Sequence, residues 1–318
     1  MTKTGVLLMA YGTPRNMEEV EPYFTDIRGG RTPAPEAIAE LKERYEKVGG
    51  HTPLLEITEN TASRLQAFLS NNSQESKYSV YMGMKHWHPY IKKTIEKMYS
   101  DQVEKIITLT LAPHYSKMSI EEYNERVENA LTACNWTPEV TNVQSWHGSP
   151  KFMNLISSRI KNEISQFENP QEVDVMFTAH SLPSRILEWN DPYPLEMSTS
   201  SQAIANSMGL DSYHFAYQSA GGTSVPWLGP DILDKIRELA ETGKKSILVV
   251  PFGFICDHLE ILFDIDLEAQ ELAKELNIEL RRIRMPNATP EFIEVLGDIV
   301  LNGTGVVKKT VQITRMND

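Results

Sequence analysis

Short apolar runs rich in β-branched residues alternate along this chain with longer amphipathic stretches, and that alternation limits the fold more than any other feature. It calls for βα units around parallel sheets. The runs lie near residues 5–10, 78–83, 105–111 and 140–145, and again near 173–178, 213–217, 246–251 and 279–284. Helical periodicity fills the gaps, for example over 35–47, 119–133, 230–241 and 258–275. With 318 residues there is room for two domains of ordinary size, and both read as α/β.

The two sets of runs resemble each other. The first strand of each half ends in Ala-(Tyr/His)-x-x-Pro, at Ala10-Tyr11-Gly12-Thr13-Pro14 and at Ala179-His180-Ser181-Leu182-Pro183. A later strand of each half runs into a proline, Pro113 or Pro251. About 31 more residues separate Ala10 from Pro113 than Ala179 from Pro251, which places an insertion over 15–51. A five-residue similarity can also arise by chance. Taken at face value, it predicts two similar open parallel sheets of four strands, with Tyr11 and His180 at matching strand ends facing a shared cleft, where open sheets bind ligands. The polar stretch Phe167-Glu168-Asn169-Pro170 sets the expected boundary, giving 1–168, 169–288 and a C-terminal helix and tail over 289–318, the helix packing on the first lobe.

Composition and missing motifs narrow the function. Lys and Arg number 31 against 43 Asp and Glu, a net charge of −12 that opposes binding along a phosphate backbone. No nucleic acid partner is expected. Cys134 and Cys256 stand far apart, which excludes a disulfide framework and an all-cysteine metal site and suits a reducing cytoplasm. The apolar run from Gly5 to Ala10 is shorter than a signal-peptide core. Nothing approaches the roughly 20 apolar residues of a membrane span, so at most peripheral membrane contact is expected. Phosphate-loop, dinucleotide and serine-esterase glycine motifs are all missing.

Three groups of residues could carry chemistry. His180, at a strand end, can take a proton or bind a metal near neutral pH. Downstream, Pro251-Phe-Gly-Phe-Ile-Cys-Asp-His258 leads into an acidic helix. At 100° per residue Asp257, Glu260, Asp264, Glu268 and Glu271 share one arc, readable as a solvated face or as a path for a hydrated divalent cation. The insertion gathers Arg15, Arg28, Arg31 and Arg44 with Tyr23, Phe24 and Tyr45, which suits a flat apolar ligand fringed with carboxylates; for Arg15 an ordinary charged surface is preferred. His86-Trp87-His88-Pro89 reads as a cleft lip rather than a ligand pair.

In order along the chain, Met9-Ala-Tyr-Gly-Thr-Pro14, Arg44-Tyr-Glu-Lys-Val-Gly-Gly-His-Thr-Pro-Leu54, Gly83-Met-Lys-His86, Leu111-Ala-Pro-His-Tyr-Ser116, Ala179-His-Ser-Leu-Pro183, Asp191-Pro-Tyr-Pro194, Tyr217-Gln-Ser219, Pro226-Trp-Leu-Gly-Pro-Asp231, Pro251-Phe-Gly-Phe254 and Asp257-His-Leu-Glu260 resemble the signature blocks of ferrochelatases. The tyrosine after Met-Ala, without a C-terminal cysteine cluster, is most similar to the bacterial branch acting on coproporphyrin III. The resemblance implies a chelatase-like fold of two Rossmann-like lobes around a cleft and a cytoplasmic, monomeric enzyme of haem biosynthesis. It also implies insertion of Fe²⁺, as substrate, into a porphyrin without a required cofactor. By position, His180 and Glu260 match the metal-binding and proton-handling pair, and Tyr11 an axial ligand of the product iron. Arg28, Arg44, Tyr45, Thr52 and Tyr123, with Tyr11, match substrate-contacting positions. Asp264 and Glu268 match an outer site for a hydrated metal, where an accessory ion such as Mg²⁺ is expected. Three alternatives stay open: protoporphyrin IX as the substrate, a cobalt or nickel chelatase for another tetrapyrrole, and a non-catalytic haem carrier.

Overall fold

A computed structural model describes residues 2–73, 77–222, 225–303 and 306–312. In chain order the elements are β1 (Lys3–Ala10), α1 (Val20–Ile27), α2 (Pro35–Lys47), α3 (Leu54–Asn72), β2 (Lys77–Met84), α4 (Ile91–Ser100), β3 (Lys105–Thr110), α5 (Ile120–Ala133), β4 (Glu139–Ser145) and α6 (Pro150–Ile164). They continue with β5 (Val173–His180), α7 (Tyr193–Met208), β6 (His214–Gln218), α8 (Ile232–Glu241), β7 (Ser246–Val250), α9 (Leu259–Leu262), a π-helical turn (Asp264–Ala269), α10 (Gln270–Glu275), β8 (Glu279–Arg282), α11 (Pro290–Leu301) and β9 (Val307–Gln312). All eight apolar runs form strands. Continuous burial explains why the central strands read most clearly: β1 is buried at every position from Gly5 to Ala10, as expected of a strand covered on both faces.

The chain divides into two compact units, Met1–Ser149 with Asn287–Asp318, and Pro150–Pro286. In the first, the sheet order is β2-β1-β3-β4-β9, with Leu7, Met9, Ile95, Ile106, Val127 and Leu131 in the core beside it. Its first four strands are parallel and β9 lies antiparallel to β4, so this sheet has five strands and is mixed, where four parallel strands were expected. The added strand follows α11 and supplies a partner for the edge of β4, which would otherwise be bare. From sequence, residues 306–313 could add a strand or remain disordered; 307–312 form β9, and residue 313 lies outside the described residues. The second unit carries the four-stranded parallel sheet β6-β5-β7-β8 over a core of Met176, Ile236, Val249, Ile261 and Ile265. Without β9 the two orders are the same, and β1 and β5 hold the same place in them.

The polar stretch at residues 167–170 does not coincide with the division between units. Helix α6 precedes that stretch yet belongs to the second unit, where Ser157 meets Ser207 of α7 and Arg159 donates to the carbonyls of Arg284 and Met285, both at 2.7 Å. In the first unit α11 lies against α3. A Cβ on Gly297 would stand 2.2 Å from the Phe68 ring, so the approach requires glycine. Helix α8 begins later than its periodicity suggested: Asp231 caps it, accepting from the Leu233 N–H at 2.8 Å, and Pro230 precedes the cap.

Candidate active site

His180 is the last residue of β5, at the carboxyl end of the second sheet, and is half-buried. Its Nε2 lies 3.3 Å from Oε1 of Glu260, which α9 presents just after the loop following β7. Its Nδ1 is hydrogen-bonded to the Ser181 carbonyl, so Nδ1 carries a proton and Nε2 is the atom free to exchange one. Burial disfavours the imidazolium, but attraction to Glu260 outweighs it, with a smaller contribution from Asp264, and lifts the His180 pKa to about 9. Burial likewise opposes the charge on Glu260, yet His180 holds the carboxyl well below its ordinary value.

Around this pair stand residues that the sequence left unassigned. His258 Nε2 is 3.5 Å from the other carboxylate oxygen of Glu260, and its Nδ1 is 2.9 Å from the Cys256 carbonyl. The Tyr193 hydroxyl donates to the His180 carbonyl at 2.9 Å. Fully buried Gln218 accepts from Thr178 at 2.9 Å and donates to the Glu260 carbonyl at 3.0 Å. The signals were present, since Tyr193 and Gln218 sit in motif blocks and His258 is two residues before Glu260, but only tertiary contact defines their roles.

The acidic arc is not one continuous face. In the π-helical turn the Glu268 N–H donates to the Phe263 carbonyl five residues back, at 3.0 Å, which breaks the 100° register assumed from sequence. Asp264 is consequently buried and accepts from Ser219 Oγ, Asp266 turns to Arg282, and Glu268 and Glu271 are exposed. Asp257 also pairs with Arg282. Among the described residues, no group of three or more His, Cys, Asp and Glu side chains is arranged to hold a metal.

In the first unit Tyr11 follows β1 directly and is 43% exposed, its ring 4.7 Å from that of His86. Tyr45 and Thr52 are buried and meet at Thr13, whose Oγ1 lies 3.3 Å from the Tyr45 hydroxyl and 3.0 Å from the Thr52 hydroxyl. Thr13 thus joins the predicted contacts, and its motif position was the available signal. Tyr123 is buried on α5 with Lys85 Nζ 5.3 Å from its ring centroid, and burial keeps its phenol protonated far above the usual range. Arg44 is half-buried on α2, whereas Arg28 caps α1 in an exposed position 5.9 Å from the Phe24 ring. Arg15 pairs with Glu19, an ordinary surface ion pair. The His86 ring is held by Asp26 at 2.9 Å, and the His88 ring packs on Trp87 and Tyr90.

An imidazole–carboxylate pair at the carboxyl end of a parallel sheet, in a chain with two sheets of like order, describes a metal-chelatase architecture. The sirohydrochlorin chelatase SirB from Bacillus subtilis subspecies spizizenii, solved with cobalt, shares this fold with a TM-score of 0.55 at 11% identity, over 96% of this chain and 99% of that one. Residues 3–304 match the ferrochelatase family, and the chain belongs to it. A ferrochelatase from Herpetosiphon aurantiacus is 49% identical over 300 residues, 94% of this chain and 98% of that protein. The coproporphyrin III ferrochelatase of Bacillus subtilis is 39% identical over 306 residues, 95% and 98% of the two chains. Membership makes the protein an enzyme of haem biosynthesis, a chelatase with Fe²⁺ and a porphyrin as substrates. Among the described residues no helix is long and apolar enough to cross a membrane.

Proposed function

We propose that this enzyme inserts Fe²⁺ into coproporphyrin III, giving Fe-coproporphyrin III, as a cytoplasmic monomer. The observation that carries the chemistry is the His180–Glu260 contact. Insertion must strip water from Fe²⁺ and remove two pyrrole protons. His180 rests as the imidazolium; once its Nε2 proton has left through Glu260, the freed nitrogen is suited to ligate the metal transiently or to accept one of those protons, and Glu260 to pass the metal inward and take up the proton in turn. His258, on the other oxygen of Glu260, extends the same relay. In this reading Arg28 and Arg44 anchor propionates through charge-assisted hydrogen bonds. Tyr45, Thr52 and Tyr123 border the ring, and Tyr11 ligates the product iron axially.

The porphyrin is assigned by likeness. Coproporphyrin III ferrochelatases from several bacteria are between 38% and 41% identical to this chain. Steady-state insertion of Fe²⁺ into coproporphyrin III against protoporphyrin IX tests it. At least tenfold higher kcat/KM for coproporphyrin III is expected, and a preference for protoporphyrin IX would overturn the assignment. An accessory ion such as Mg²⁺ at Asp264 and Glu268 belongs to the same proposal. It predicts a calorimetric Mg²⁺ isotherm that Glu268→Gln abolishes.

A further inference from the structure

We infer that Arg282 is a positioning residue for Glu260: from the end of β8, its guanidinium ties both flanks of the Glu260-bearing turn to the sheet that carries His180. The inference rests on the reading that Glu260 serves metal insertion.

Glu260 sits on α9, a helix of four residues, and a single turn is too short to hold its own conformation. It runs almost directly into the π-helical turn, whose hydrogen bonding is also irregular. The Glu260 carboxylate nevertheless has to be held at one distance from His180. Two acids flank it, Asp257 on the loop before α9 and Asp266 within the π-helical turn. Arg282 binds both. Its Nε donates to Asp266 Oδ1 at 2.6 Å and its Nη2 to Asp266 Oδ2 at 2.8 Å, a bidentate fork, while Nη2 also donates to Asp257 Oδ1 at 2.9 Å.

The clamp is well placed to act. The Arg282 side chain is only 16% exposed, so solvent and salt screen it less than a surface pair. Its backbone is fixed by pairing with Val249 of β7, and β7 pairs in turn with β5, the strand ending in His180. One rigid sheet therefore sets the position of both partners. Gln218 adds a hydrogen bond to the Glu260 backbone carbonyl at 3.0 Å, and Ser219 one to Asp264 further along the turn. Without the guanidinium, Asp257 and Asp266 repel each other and the turn carrying Glu260 opens. Lysine cannot replace the fork, because its compact ammonium lacks the planar, spread donors that grip both Asp266 oxygens while also reaching Asp257.

The test uses the full chain, with Arg282→Gln and Asp266→Asn made singly and each combined with Glu260→Gln. Arg282→Gln should lower kcat for Fe²⁺ insertion by about 10- to 100-fold, the range typical of residues that orient a metal-site ligand. Porphyrin affinity from fluorescence quenching should change by less than about twofold. In the Glu260→Gln background the same substitution should cost nothing more, a non-additivity that general destabilisation does not produce. Asp266→Asn should reproduce the loss in smaller measure if Arg282→Gln does not fold. A kcat within about twofold of wild type in either folded single variant, or full additivity with Glu260→Gln, would overturn the inference. A crystal structure of the variant separates failure of the clamp from failure of the site reading. The clamp requires the His180–Glu260 contact to lengthen beyond about 4 Å, outside ion-pair range. An unchanged contact refutes the clamp whatever activity Glu260→Gln retains.

Discussion

His180 presents Nε2 to Glu260 at 3.3 Å while its Nδ1 is committed to the Ser181 carbonyl. Only one nitrogen is therefore left for exchange, and in the proposed mechanism that atom takes the proton or the metal. Because one carboxylate sets both the position and the basicity of that atom, titration of the metal-free protein reports on the pair.

Glu260→Gln should lower the His180 pKa markedly from about 9, since the largest attraction opposing burial is then gone and only the smaller influences of the Ser181 carbonyl and Asp264 remain. The imidazole C–H resonances followed by NMR read this directly. The sign for stability follows. A raised histidine pKa stabilises the fold fully below 6.5 and is lost as pH rises through 9. The lowered Glu260 pKa contributes above its ordinary 4.5 and is lost towards acid. The melting difference between wild type and Glu260→Gln should thus be largest between pH 4.5 and 6.5 and fade by pH 9. A difference that grew from pH 6.5 to 9 would contradict the assignment.

Glu19 offers an acid-side test in the first unit. Hydrogen bonding to Arg15 comes first among the forces that overcome its partial burial, and Trp87 Nε1 adds a bond of 2.7 Å; together they lower its pKa from 4.5 to about 2. Its stabilisation is present above pH 4.5 and lost as pH falls to 2. Glu19→Gln should lower the thermal midpoint by about 2 °C at pH 7, a small value because Arg15 is solvent-exposed, and by nothing measurable near pH 2.

Packing of α11 on α3 depends on the missing side chain at 297. Gly297→Val drives a Cβ into the Phe68 ring and should cost about 2 kcal/mol in chemical denaturation. In a Phe68→Ala background most of that cost should vanish, because the clash has been removed. Simple additivity would show that the close approach does not matter.

Legibility from sequence followed physical cause. The central parallel strands were plain because burial on both faces turns them into nearly continuous apolar runs, as Ile247–Val250 illustrates. Tyr11 and His180 stood out in the sequence because they stand at the ends of matching strands, Tyr11 just after β1 and His180 as the last residue of β5. The placement of the acids was not, since nothing in the order of residues 257–271 announces a turn closed five residues back, and that turn buries Asp264 while exposing Glu268. Arg282 lay hidden for a related reason. It reads as one of three arginines around an amphipathic strand, and only the fold brings Asp257 and Asp266 to it. The polar stretch at 167–170 marked a loop but not the division between units, because the amphipathic face of α6 finds its partners later in the chain.

His180 is proposed to serve metal insertion without being needed to bind the ring. Steady-state Fe²⁺ insertion and porphyrin fluorescence quenching, measured side by side on His180→Ala, test it most directly. The insertion rate should fall by about 10²- to 10⁴-fold, with porphyrin affinity within about twofold of wild type. Near wild-type insertion by His180→Ala would contradict it.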